Sequence, residues 1–164
     1  MKENEIIANE LLVKIFNNIL EIEENILKKG EFKDLSVREM HILESISKVN
    51  NSTMSEVSKD LSITVGTLTI GIDKLIRKGY VLRRRIEEDR RVVIVELTEK
   101  GIRANKEHSD FHKEMISSMF VGIDEPEKSV LTRGLEKLNN YFERKNNKKI
   151  RKKVFNYYLT YSTS

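Results

Sequence analysis

Six residues between positions 64 and 74 carry groups suited to reading the edge of a base pair: Thr64, Gly66, Thr67, Thr69, Ile70 and Lys74. A threonine hydroxyl donates and accepts, and the methyl groups of Thr and Ile can meet the thymine methyl in a major groove. As a helix, 64–78 turns Val65, Leu68, Ile72 and Leu75 inward and leaves those six on the opposite face. No Arg, Asn or Gln stands on its first two turns. That disfavours bidentate readout of guanine or adenine and favours an A·T-rich site recognised through methyl contacts and shape. Gly66 and Gly71 each cost a helix roughly 1 kcal/mol against Ala. At Gly66, outward and near the N-terminus, the missing side chain lets the backbone approach DNA. At Gly71 close packing is an equal explanation.

A second group of polar residues follows at once. The segment 73–91 holds eight Lys and Arg against four acids. Arg83, Arg84, Arg85 and Arg90 are placed to meet phosphates, whose contacts position a protein on DNA without reading sequence. Asp89 and Arg91 stand two apart near a hairpin tip, so they share a side and can pair. The pair would hold an Arg extended toward a narrow minor groove. Ser55, in the first turn of the preceding helix, joins the set of DNA-facing residues.

The elements around these residues repeat one theme, a start signal followed by an apolar stripe. Ile7, Leu11, Ile15, Ile19, Ile22 and Ile26 recur at helical spacing over 5–28, and Leu12, Phe16, Leu20 and Leu27 add a strip beside them. Such width predicts two neighbours, a core on one side and a partner subunit on the other. Ser36 to Glu39 and Thr53 to Glu56 have the form of capping boxes. The first opens a helix with Met40, Leu43, Ile46 and Ser47 on successive turns, the second a helix to about Asp60. Residues 81–86 and 91–97 read as a hairpin around the polar tip 87–90. Thr98 caps a long helix to about Val121, and another opens at 124–127 with Leu131, Leu135, Leu138 and Phe142 inward. Two short helices joined by a tight turn, then a hairpin, make a winged helix-turn-helix. The fold class expected is mainly α with a small β-hairpin wing.

Composition narrows the function. At 164 residues, 38% apolar and 34% charged, the chain suits a small protein that completes its burial by pairing with a second copy. It has no cysteine, which removes disulfides and thiolate metal sites. No run is long enough to span a bilayer and no secretory leader is evident, so the cytoplasm is the expected location. The net charge of +4 is misleading, because 144–153 alone holds seven positive charges and the remainder carries −3. No nucleophile elbow and no phosphate loop supports catalysis, and no cofactor is expected. His108 and His112 are four apart on one helix face and close enough to share a metal. A structural or pocket-lining role is the commoner one for such a pair, and no metal is assigned.

Residues 61–79, followed by Arg-Arg-Arg-Ile-Glu-Glu-Asp-Arg-Arg-Val-Val-Ile-Val-Glu-Leu-Thr-Glu-Lys-Gly (83–101), resemble the MarR family of transcriptional regulators. The resemblance covers about 5–143 and implies a homodimer bound to a pseudo-palindrome of double-stranded DNA. It divides the chain into one unit, 1–145, with dimerisation helices at 5–29 and 98–143 around a winged helix-turn-helix at 36–97. A basic and aromatic tail, 146–164, follows. Within the family, 15–18, 22–24, 32–34, 39–41, 64–67 and 111–113 are similar to the FabT group, repressors of fatty-acid synthesis genes. That likeness implies acyl-acyl carrier protein as the effector. The acyl chain would enter between the DNA-binding lobe and the dimerisation helices, where Phe16, Leu20, His41, His108, Phe111 and His112 would line a pocket or dimer joint. Glu24, His41, His108 and His112 also resemble the ligand set of zinc-sensing members. The alternatives are thus a regulator answering zinc or a small aromatic compound and, more distantly, an effector-free architectural DNA-binding protein.

Overall fold

A computed structural model describes residues 2–85 and 92–146. The elements run α1 (Glu3–Lys29), α2 (Val37–Lys48), α3 (Met54–Asp60), α4 (Val65–Arg77), β1 (Val81–Arg85), β2 (Val93–Leu97), α5 (Glu99–Met119) and α6 (Glu125–Asn146). The two strands are antiparallel, with Val81 opposite Leu97 and Arg85 opposite Val93. Asp89, Arg90 and Arg91 at the expected hairpin tip, and the tail from 147 onward, lie outside the described residues.

The start signals do what their chemistry demands. Ser36 and Glu39 form the full reciprocal box: Ser36 Oγ accepts from the Glu39 amide at 3.3 Å, and Glu39 Oε2 accepts from the Ser36 amide at 2.9 Å. Thr53 and Glu56 form only half of one. Thr53 Oγ1 accepts from the Glu56 amide, while the Glu56 carboxylate takes the Thr53 hydroxyl rather than its amide. The loop here runs beside β2 instead, with the Val95 amide donating to Ser52 O at 3.0 Å and Thr53 bridged to Ile94. This added pairing has no period-two signal in the sequence.

The ends of α3 and α4 are built alike. After α4, Gly79 adopts φ +79°, its amide donates to Ile76 O, and the Tyr80 amide donates to Leu75 O. After α3, Ser62 adopts φ +54°, its amide donates to Lys59 O, and the Ile63 amide donates to Ser58 O. Both are Schellman closures, which satisfy carbonyls a helix end leaves unpaired. The second sets the turn of the helix-turn-helix with a serine where glycine is usual.

Leu43, Val57, Leu68, Ile72, Leu75, Tyr80 and Val95 are sealed from solvent where α2, α3, α4 and the hairpin meet. Each aliphatic side chain of this kind stabilises the fold by roughly 1.5–3 kcal/mol. Tyr80 also locks the lobe to its surroundings. Its hydroxyl donates to Asp34 Oδ1 at 2.6 Å, its ring meets Phe32 edge-on at 6.2 Å, and Lys100 Nζ stands 4.0 Å above it. The terminal helices differ. Ile7, Leu11, Ile15, Ile22, Leu135 and Phe142 are exposed, while Ile19, Leu20, Ile26, Leu131 and Leu138 are half-buried and Leu27 is buried, so one chain covers only part of the α1 stripe and of the α6 stripe expected inward. Two smaller expectations fail: Ser47 faces solvent, and Val65, expected inward, is 45% exposed. Val65 opens the first turn of α4 and is not among the side chains packed on the core.

Candidate nucleic-acid interface

Thr64 is the N-cap of α4, so its hydroxyl accepts from the Thr67 amide at 3.1 Å and lies 2.9 Å from the Thr67 hydroxyl. One proton serves that contact, which leaves the other hydroxyl hydrogen for an outside acceptor. Thr69 Oγ1 donates to Val65 O at 2.8 Å, an internal bond that fixes its rotamer and leaves lone pairs to accept. Ile70 is 63% exposed and Lys74 is exposed one turn on. Ser55, in the first turn of α3, is also exposed. Thr67, Ile70 and Lys74, spaced by three and four residues, therefore share one face of α4 with Thr64 at its N-cap, while Thr69 stands half-buried at the edge of the outward arc.

The two glycines separate cleanly. A Cβ on Gly66 would meet nothing nearer than Thr64 Oγ1 at 3.9 Å, so no packing inside the chain calls for glycine there. A Cβ on Gly71 would stand 2.5 Å from Ile42 Cδ1. Gly71 is where α2 crosses α4 closely, and packing accounts for it.

The arginines of β1 alternate as a strand requires. Arg84 Nη2 bonds Glu96 Oε1 across the hairpin at 2.7 Å. Arg83, on the other face, bonds Asp73 Oδ1 of α4 at 2.8 Å, which ties the wing to the helix and orients the guanidinium. Arg85 shares that face and has no ion-pair partner among the described residues. Asp73 had no role in the sequence pattern, because it gains one only when the strand folds back beside α4.

At the base of α1 the histidines gather around a buried carboxylate. His112 Nε2 lies 3.1 Å and His41 Nε2 3.7 Å from Glu23 Oε1, and the Nε2 atoms of His108 and His112 are 3.2 Å apart. Phe111 stacks at a tilt on His112, ring centroids 5.2 Å apart. Burial pushes the Glu23 carboxyl up, but the His41 hydrogen bond and the three imidazoles outweigh it and hold the group below its ordinary value. Burial and the His108 ring push His112 down, toward the neutral imidazole. His108 and Lys48, the latter 2.6 Å away, hold Glu44 at about 2. The carboxylate here is Glu23, whereas the zinc-sensor likeness pointed to Glu24. Glu24 is half-buried and pairs with Lys28 one turn along α1. Adjacent helix positions differ by about 100° in direction, which decides between them. Leu20 lies half-buried and Phe16 exposed farther along α1.

A helix-turn-helix with a polar, methyl-rich face, flanked by an arginine-bearing hairpin, defines a winged helix-turn-helix DNA-binding protein. Residues 35–93 match the model of the MarR family. The crystal structure of Streptococcus pneumoniae FabT in complex with DNA is 44% identical. It covers 84% of this chain and 96% of that one, with a TM-score of 0.78. A mutant MarR from E. coli complexed with operator DNA is 26% identical, covers 84% and 98%, and has a TM-score of 0.60. The transcriptional repressor YetL of Bacillus subtilis is 30% identical over 118 residues, 72% of this chain and 65% of YetL, a little under two thirds of its length. The chain belongs to the MarR family, whose members are DNA-binding transcriptional regulators and not enzymes. No helix among the described residues is long and apolar enough to cross a membrane.

Proposed function

We propose that the protein is a homodimeric repressor of fatty-acid synthesis genes that binds an A·T-rich palindrome. The observation that carries DNA reading is the outward face of α4, where Thr64, Thr67, Thr69 and Ile70 surround a glycine that no internal contact requires. Ser55 and Lys74 extend this face, and Arg83, Arg85 and Arg90 meet flanking phosphates. Asp89 steers Arg91 into the minor groove. The exposed apolar residues of α1 and α6 support pairing with a second copy.

Fatty-acid control rests on the 44% identity to FabT. Acyl-acyl carrier protein is the proposed effector, its acyl chain entering between the lobe and the terminal helices past Phe16, Leu20 and Phe111. The acidic carrier docks on basic surface, and the protein acts in the cytoplasm. An effector that prefers one arrangement of the two lobes shifts DNA affinity by its differential binding to that arrangement.

Fluorescence anisotropy on an A·T-rich palindromic duplex, at fixed salt, tests both parts. Sequence-selective binding, roughly 10³ or more over random duplex, is the expected result and excludes a coating protein. A change in affinity with the acylated but not the free carrier supports the acyl effector. Selective binding indifferent to the carrier overturns that effector and leaves the repressor.

A further inference from the structure

Asp73 is the single acid on α4. It stands three residues past Ile70 and four past Thr69, so it flanks the outward face of that helix. Phosphates repel a carboxylate so placed, which makes it costly beside DNA unless its charge is matched. Asp73 Oδ1 accepts from Arg83 Nη2 at 2.8 Å. Among the described residues this is the one ion pair that joins α4 to the hairpin.

The strand register explains the meeting. Arg83 stands opposite the buried Val95, so its side chain leaves the inner face of the hairpin and reaches back over α4. Arg84 turns the other way, and its bond to Glu96 runs from strand to strand without leaving the hairpin. The side chains of Arg83 and Asp73 are 36% and 47% exposed, and ion pairs this open add little to folding stability. A guanidinium carries five N–H donors in a planar fork, so the bond to Asp73 leaves the others for a phosphate.

We propose that Asp73 is a positioning residue that sets the selectivity of DNA binding, by holding Arg83 at the seam between α4 and the wing and cancelling its charge. The inference rests on α4 being the helix that reads DNA. A free arginine is drawn to any phosphate and strengthens binding to every sequence alike. Paired with Asp73, Arg83 adds little net attraction, and its remaining donors reach a phosphate only where the backbone passes at one distance from α4. Phosphate contacts fix register, and this one is tied to the reading helix itself. It forms when Thr64, Thr67 and Ile70 meet their bases, and it is lost on duplex whose groove has another width.

The test is fluorescence anisotropy of the full-length protein over a salt series, on an A·T-rich palindromic duplex and on random duplex of equal length. Asp73→Asn should raise affinity for random duplex by about tenfold and steepen its log–log salt slope by roughly 0.9, the increment for one more phosphate contact. Affinity for the palindrome should rise by no more than about twofold, so that selectivity falls at least about fivefold. Asp73→Glu, which keeps the charge, should retain most of the parent's selectivity. In an Arg83→Gln background, Asp73→Asn should leave selectivity unchanged, because the residue acts through its partner. Urea midpoints close to the parent's check that each variant folds. Equal gains on both duplexes, or a selectivity loss that persists without Arg83, overturn the proposal. A parent that ignores sequence overturns the assignment of α4 as the reading helix, and this inference with it.

Discussion

The winged lobe and the terminal helices contrast in how they use apolar residues. In the lobe, Leu68, Ile72 and Leu75 of α4 are wholly buried against α2, α3 and the hairpin. On α1, Leu11 and Ile15 follow the same helical period and are each 51% exposed. Equal periodicity therefore has two outcomes, set by whether the partner surface lies in the same chain. The lobe is finished by its own sequence, whereas the ends keep apolar faces that one chain does not cover, as the proposed pairing with a second copy requires.

The sharpest way to break that contrast is to charge the uncovered stripe. Leu11→Glu and Ile15→Glu should each weaken self-association by roughly 2 kcal/mol or more, about thirtyfold in dissociation constant. Sedimentation velocity over a concentration series reads this directly. A mass unchanged by both substitutions would mean that the stripe is not the dimer surface.

A smaller effect belongs to the lobe's own electrostatics. Burial pushes Glu39 up, but Lys78, 2.8 Å away, and the Ser36 amide and hydroxyl hold it below its ordinary value of 4.5. A carboxyl with a lowered folded value stabilises fully above 4.5 and loses that contribution as pH falls through the folded value. Glu39→Gln should cost about 1.5–3 kcal/mol at neutral pH. The gap from the parent should close below pH 4.5, as urea midpoints across the acid range will show.

The smallest effect separates packing from recognition within one helix. Gly71→Ala must displace Ile42 and should destabilise by about 1 kcal/mol, with operator affinity per folded molecule unchanged. Gly66→Ala, in open space, should raise stability by up to about 1 kcal/mol and weaken operator binding. Urea denaturation paired with anisotropy resolves the opposite signs. Stronger or equal binding by Gly66→Ala would remove the case for close backbone approach.

Local chemistry was the legible part of the fold. Caps at Ser36, Thr53, Thr64 and Thr98 lie where side-chain oxygens and following amides put them, and each is within hydrogen-bond reach of its target. α1 starts at Glu3, two residues before the expected 5–28, because the Glu5 carboxylate takes the Lys2 amide from outside the apolar pattern. What escaped depends on tertiary meeting points. Asp73 becomes the anchor of Arg83 only after the chain reverses, and Glu23 rather than Glu24 meets the histidines because α1 happens to roll that way against α5. Gly71 is explained only by Ile42, which lies beside it and has no signal in the local sequence. Val65 follows the inward period yet is 45% exposed, because periodicity carries no information about how far the core extends along a helix.

The base of the hairpin is clamped three ways. The Thr98 amide donates to Tyr80 O, the Thr98 hydroxyl to Gly79 O, and Lys100 Nζ to Lys78 O. Gly101 lies so close to the Tyr80 carbonyl that a Cβ there would fall 2.2 Å from its oxygen. The wing and α4 thus behave as the two jaws of a calliper locked at one opening. In the proposed dimer, an effector would act by changing the distance between two such callipers, since neither can change its own gauge. A graft of 36–101 onto a different pair of dimerising helices should accordingly keep the half-site it reads and change only the spacing between half-sites.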